Sequence, residues 1–154
     1  MIIGIPKEMK DKESRVGLTP KYVEKLVNQG HKVVIQKGLA TLAGIPDSDY
    51  IKSGASVAET MNDVYDSAQM IVKFKDYTDG EYDVPIRSDH IIWCCFHLGE
   101  NEPDHKITKK MISAKATGIA YEMLQNPDGS RPIMKPMSEI AGRLTTIIAA
   151  NLCL

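Results

Sequence analysis

The chain has no G-x-G-x-x-G among its 11 glycines and no G-x-x-x-x-G-K-[ST]. Either pattern would aim backbone N–H groups at a nucleotide's phosphates, so no built-in nucleotide cradle is expected. A G-x-S-x-G elbow is missing too, which leaves an α/β-hydrolase reading without its nucleophile. No two cysteines or histidines stand at C-x-x-C or H-x-x-x-H spacing, and a metal reading therefore lacks ligands. Cysteine is scarce: Cys94, Cys95 and Cys153 are odd in number, and the first two are neighbours. Neighbours on a strand point to opposite faces, so that pair does not bridge, and reduced thiols in a cytoplasm are expected. No apolar run reaches the roughly 18 residues a membrane span needs. The start, MIIGIPKEMK, lacks the basic-then-apolar order of a signal peptide. A formal net charge of -1 excludes the basic footprint of a nucleic-acid binder. Internal repeats, low-complexity stretches and Ser/Gly linkers are also absent.

What remains is ordinary globular composition, 43% hydrophobic and 25% charged, in 154 residues. That length fits a single domain with its own core. It is short for two full-sized domains in one chain. Two periodicities alternate along it. Ile2-Ile3-Gly4-Ile5, ended by Pro6, predicts a buried strand. Thr19-Pro20 opens a helix carrying Tyr22, Val23, Leu26 and Val27, and Gly30 stops it. Lys32–Gln36 predicts a second strand, Asp47–Lys52 and Val57–Val64 two short helices, and Met70–Lys75 a third strand. His90–Phe96 is a fourth, apolar enough to be buried on both faces. Asp104–Ser113 reads as a helix and 116–123 holds a fifth strand, GIAYEM. Asn126-Pro127-Asp128-Gly129 is a turn signal before a short hairpin arm, Arg131–Met134. From Ser138, a plausible N-cap, the pattern is helical. The expected class is α/β, a mainly parallel Rossmann-like or flavodoxin-like sheet with helices on both faces and a small hairpin before a C-terminal helix.

Open parallel sheets bind ligands beyond the carboxyl ends of their strands. Past the first strand come Pro6-Lys7-Glu8 and a polar loop holding Arg15; Lys75 ends the third strand and His97 follows the fourth. Arg15 offers a planar fork for a carboxylate, Lys75 a point charge beside it, and His97 a proton shuttle near neutral pH. The trio suits a small 2-oxo or 2-amino acid. Each residue also has a plainer reading: Arg15 as a solvated loop charge, Lys75 with Lys73 as a wet edge guard, His97 as the cap of a strand. His31, His90 and His105 read as surface residues, and the eight methionines as core filler.

Five blocks carry a more specific signal: IPKEMKDKESRVGLTP at the start, VKFKD at 72–76, FHLGE at 96–100, AYEMLQNPDG at 120–129 and PMSEIAGR at 136–143. In this order they resemble the alanine dehydrogenase and transhydrogenase N-terminal domain family, over nearly the whole chain. PMSEIAGR together with a histidine in FHL resembles the alanine dehydrogenase branch, since transhydrogenase relatives generally lack that histidine. The resemblance implies that Arg15 and Lys75 hold the substrate carboxylate and that His97 is catalytic. It also implies that Met137 and Ser138 line the pocket where the connecting helix begins. The reaction it implies is reversible NAD-dependent oxidative deamination of L-alanine to pyruvate and ammonia. Three departures stand out: Asp76-Tyr77 where the family has Glu-Pro, a thinned glycine stretch KGLATLAG, and Cys95 in place of an aromatic.

The resemblance further implies that the helix begun at PMSEIAGR leads into a nucleotide-binding domain, which would carry the glycines for NAD and a catalytic aspartate. The expectation is thus a substrate-binding lobe at 1–137 and, at 138–154, the start of a truncated inter-domain helix, with the nucleotide domain absent. NAD is expected for the complete enzyme and none for this chain alone. Two further readings stand beside it. One is a non-catalytic sensor of a 2-oxo or amino acid. The other is an interaction protein, because Leu144, Ile147, Ile148, Leu152 and Leu154 follow Arg143 without another charge. Such a segment favours a homo-oligomer through the C-terminal helix, or a helix folded back on its own domain. A nucleotide-binding partner chain, a small-molecule substrate and no membrane complete the expectation.

Overall fold

A computed structural model of the chain describes residues 1–97 and 106–153. Six strands form one sheet: β1 (Ile2–Ile5), β2 (Lys32–Gln36), β3 (Ser56–Ala58), β4 (Met70–Val72), β5 (Ile91–Cys94) and β6 (Thr117–Ala120). Their spatial order is β3-β2-β1-β4-β5-β6. β1 pairs parallel with both β2 and β4, β2 with β3, and β4 with β5. The order reverses between β1 and β4, so their carboxyl ends form the topological switch point at which such sheets bind ligands.

β1 stops where Pro6 has no N–H to give the ladder. Its residues face alternate sides. Ile5 joins Val33 and Ile35 of β2 in a core with Val23 of helix α1 (Pro20–Asn28) and Tyr50 of α2 (Asp47–Lys52). Gly4 points the other way: a Cβ there would come within 2.7 Å of Val64 in α3 (Met61–Ser67). Helices therefore cover both faces, as expected for this class. α1 begins at Pro20 with Thr19 extended before it, although the Thr19 side chain makes no cap bond; its carbonyl takes the N–H groups of Tyr22 and Val23 instead. Gly30, at φ 86°, closes the helix end.

The segment expected as a helix over Val57–Val64 is instead the end of β3, a turn, and then α3. Thr60 and Asp63 cap one another reciprocally, a capping box that fixes the helix start at Met61. The strands expected over 70–75, 90–96 and 116–123 are shorter at one or both ends, and Tyr121–Met123 is a 3-10 turn. α4 (Lys106–Ala114) realises the helix expected over 104–113; Asp104 and His105 lie outside the described residues. His90 is fully buried, not a surface residue. Its Nδ1 accepts the Arg87 N–H, so Nε2 carries the proton and donates to the Tyr65 carbonyl. Burial pushes its pKa down, with the Arg87 charge adding to that. Arg87 also donates to the carbonyls of Tyr65, Asp66 and Ala68, satisfying the end of α3.

The chain divides into two units, Met1–Ile119 and Ala120–Leu154. In the second, the turn at 126–130 forms, with Ser130 O accepting the Asn126 N–H and Asn126 O the Gly129 N–H. The hairpin arm does not: residues 131–133 are irregular and α5 (Met134–Leu152) already starts at Met134. Pro136 sits in the first helical turn, where its missing N–H costs nothing, so the helix begins upstream of Ser138 and Ser138 is no N-cap. No described helix is long and apolar enough to cross a membrane.

Candidate functional site

At the switch point, β4 leaves the sheet after three residues and runs on as Lys73-Phe74-Lys75-Asp76. Glu8, three residues past β1, meets it. Its carboxylate accepts the Phe74 N–H at 2.6 Å, the Lys75 N–H at 3.3 Å and the Lys73 ammonium at 3.2 Å. Lys73 is wholly buried and also bonds Glu81, whose other oxygen takes the N–H and hydroxyl of Thr78. The reading of Lys73 as part of a wet edge guard is thus wrong: strand β4 ends at Val72, and the side chain turns inward onto two carboxylates. Burial pushes the Glu8 carboxyl up, and Lys73 with the two N–H groups pulls it part of the way back. Burial alone would lower the Lys73 ammonium, but Glu8 and Glu81 outweigh it and hold its pKa above the ordinary value.

Outside this cluster lies the predicted cation site. The loop carrying Arg15 is pressed onto β4 at Gly17, where a Cβ would come 2.7 Å from the Val72 carbonyl. It is tied at Leu18, whose carbonyl accepts the Tyr50 hydroxyl at 3.0 Å. Burial, aided by Asp47, pushes that phenol up to about 12, so it stays a donor. The Arg15 guanidinium lies 4.2 Å over the Phe74 ring, a cation–π contact. Glu13 takes its Nε and Nη2, and the backbone N–H of Arg15 as well. Arg15 holds the Glu13 carboxyl below its usual range, and Lys75 is near enough to add to that lowering.

Asp76 joins the other two members. Its Oδ1 lies 3.6 Å from Lys75 Nζ and its Oδ2 3.5 Å from His97 Nδ1. Oδ1 is buried and accepts no hydrogen bond. His97 adopts a left-handed conformation, φ 50°, which costs a non-glycine residue energy. Its Nε2 is 3.4 Å from the Cys95 thiol. The neighbouring Cys94 points the opposite way and donates to the Lys75 carbonyl. Cys94 and Cys95 are buried, and Cys153 is exposed.

Arg15, Lys75 and His97 therefore gather beside the carboxyl end of β4, linked by Phe74, Glu13 and Asp76. Met137 and Ser138 belong to the second unit, in the opening turns of α5, Met137 half-buried and Ser138 exposed. Of the FHLGE block, Leu98, Gly99 and Glu100 lie outside the described residues. Sequence reasoning missed Glu8, Glu13, Asp76 and Glu81. Part of the signal was present: Glu13 and Asp76 lie within two residues of a predicted site residue, and Glu8 lies three residues past the end of a predicted strand. Among the described residues no group of three or more His, Cys, Asp or Glu is arranged to hold a metal ion.

The chain matches the model of the family described as alanine dehydrogenase/PNT, N-terminal domain, over residues 4–141. It is 41% identical over 151 residues to an alanine dehydrogenase of Methanococcus maripaludis, covering 98% of this chain and 39% of that protein. Against an alanine dehydrogenase of Mycolicibacterium smegmatis the identity is 35%, over 97% of this chain and 39% of the relative. Among solved structures, an L-alanine dehydrogenase superposes with a TM-score of 0.88 at 38% identity, over 98% of this chain and 40% of that one. A transhydrogenase from Sinorhizobium meliloti superposes with a TM-score of 0.71 at 29% identity, over 82% and 35%. The chain thus spans about two fifths of the length of the relatives it matches.

Proposed function

Because the chain belongs to the alanine dehydrogenase/PNT N-terminal domain family, we propose that its first unit is the substrate lobe of an L-alanine dehydrogenase, taking L-alanine and pyruvate. The observation that carries this reading is the gathering of Arg15, Lys75 and His97 at the sheet's ligand-binding edge. Arg15 and Lys75 bind and orient the acid's carboxylate. His97, set between Asp76 and the Cys95 thiol, accepts or returns the proton at the reacting 2-carbon's substituent. Met137 and Ser138 contribute to the pocket wall in the assembled enzyme.

NAD, when bound to the complete enzyme, supplies the hydride acceptor. The described residues do not fit it. β1 is followed by Pro6-Lys7-Glu8 and not by a glycine turn, and the buried Glu8 carboxylate stands where a pyrophosphate would need N–H donors. The nucleotide site therefore belongs to another part of the enzyme or to a partner chain. Mixing this chain with a separately expressed NAD-binding portion of an alanine dehydrogenase should restore alanine-dependent NADH formation. No activity with any such partner counts against the catalytic reading.

The same geometry supports a second reading, a sensor or regulatory module for a 2-oxo or amino acid. Arg15, Lys75 and His97 all lie in the first unit. Pyruvate binding without any gain of activity in the mixing experiment favours it. The exposed stripe of α5 adds a proposal on assembly. Met137, Ile140, Leu144 and Ile147 follow the 3-4-3 spacing of a helix-pairing seam, and the last three are more than half exposed. A second copy packing along this seam gives a homodimer; light scattering that finds a monomer at high concentration overturns it.

A further inference from the structure

We propose that Glu8 is a positioning residue for the acid site, setting Lys75 and the Arg15 platform through the backbone N–H groups of Phe74 and Lys75. This rests on the reading that Arg15 and Lys75 hold the substrate carboxylate.

β1 and β4 share only two paired positions, Ile3 with Met70 and Gly4 with Ile71. Beyond them the chain after β4 has no strand of β1 to bond. Glu8 takes the place of that strand. The Lys73 N–H still goes to the Trp93 carbonyl of β5, and Glu8 crosses the switch point to accept the N–H groups of Phe74 and Lys75 that follow. The carboxylate is buried, so its position is fixed by packing and by Lys73, itself clamped from the far side by Glu81. The two residues it grips are the two on which the site depends. Phe74 is the ring beneath Arg15, and Lys75 is the second cation. One buried acid thereby holds both cation-bearing elements in register. Catalytic and binding groups lose function when displaced by about 1 Å, so a shift of this segment is felt at the ligand.

Glu81 supplies the control. It bonds the same lysine and is equally buried, but its other oxygen grips Thr78, not the Phe74–Lys75 backbone. Glu8→Gln keeps the shape but turns an NH2 group toward donors. Glu81→Gln perturbs the buried charge in the same way without touching the two N–H groups.

The test is calorimetric titration of the full 154-residue chain with pyruvate, beside amide spectra of 15N-labelled protein. Glu8→Gln is expected to weaken pyruvate binding at least tenfold, with the Phe74 and Lys75 amide signals displaced. Glu81→Gln is expected to change binding less than about threefold, and Arg15→Ala to abolish it. If folded Glu8→Gln binds like the wild type while Arg15→Ala does not bind, the proposal is overturned and the acid site stands. Equal weakening by Glu8→Gln and Glu81→Gln also overturns it, since burial of charge alone then explains the loss. If wild type fails to bind pyruvate, or Arg15→Ala binds normally, the acid-site reading fails, and the proposal falls with it. Should Glu8→Gln not fold, wild-type hydrogen exchange decides: Phe74 and Lys75 amides as slow as Ile71 support the grip, and exchange at the rate of an exposed loop refutes it.

Discussion

Lys73 and Lys75 are two residues apart and meet opposite fates. Lys73 is sealed between Glu8 and Glu81, while Lys75, its side chain 16% exposed, faces the half-open site with Asp76 and His97. The histidines repeat the contrast. His90 is buried, and that burial pushes its pKa down, while His97 stands at the sheet edge in a left-handed conformation. One region uses charge to build and the other keeps it available. Their backbones are continuous, so the built region fixes where the available one stands.

That division can be tested by substitution. The largest expected effect is on Lys73→Met, which leaves two buried carboxylates without their cation and should cost about 3–5 kcal/mol of stability in urea unfolding. Gly17→Ala should cost about 1–3 kcal/mol, because the added methyl meets a backbone carbonyl that cannot yield, and it should weaken pyruvate binding by displacing Arg15. Lys75→Ala should leave stability within about 0.5 kcal/mol and lower pyruvate affinity at least tenfold. If Lys75→Ala instead destabilised the fold as much as Lys73→Met, the contrast between the two lysines would collapse.

The smallest effect concerns pH. His90 has its pKa lowered in the folded chain, so the unfolded chain takes up a proton that the native one refuses. The stability this histidine allows is complete above its ordinary value of 6.5 and is lost as pH falls below that value. Unfolding midpoints should drop as pH falls below 6.5, and the drop should be smaller in His90→Gln.

Much of this was legible in the sequence. Period and punctuation give β1, α1, β2 and α2 at their observed bounds or within a residue or two, and the rule for parallel sheets brings Arg15, Lys75 and His97 to one edge. The errors share a cause. β3 is three residues long, too short for any period, and the apolar and polar residues of 57–64 fit a helix until the Thr60–Asp63 capping box is recognised. Ser138 has the chemistry of an N-cap, but Pro136 is tolerated in a first helical turn, so α5 starts four residues upstream at Met134. The misplaced burial of Lys73 and His90 is of another kind. Each is polar by composition and becomes internal only because a distant partner satisfies it, Glu8 across the switch point in one case and the Tyr65 carbonyl in the other. Pair formation over such separations has no local signature.

The brevity of the β1–β4 ladder has one more consequence. The sheet is two three-stranded halves joined by two residue pairs, and side chains help extend the join at both ends: Gln69 takes the Ile2 N–H with its side chain and gives its own N–H to the Ile2 carbonyl on one side, and Glu8 takes the N–H groups of Phe74 and Lys75 on the other. A seam sewn with side chains parts more readily than one sewn with backbone. The halves β3-β2-β1 and β4-β5-β6 should therefore separate as cooperative blocks along this line before either dissolves. The place where such a protein would take hold of its ligand is also the place where its sheet should part first.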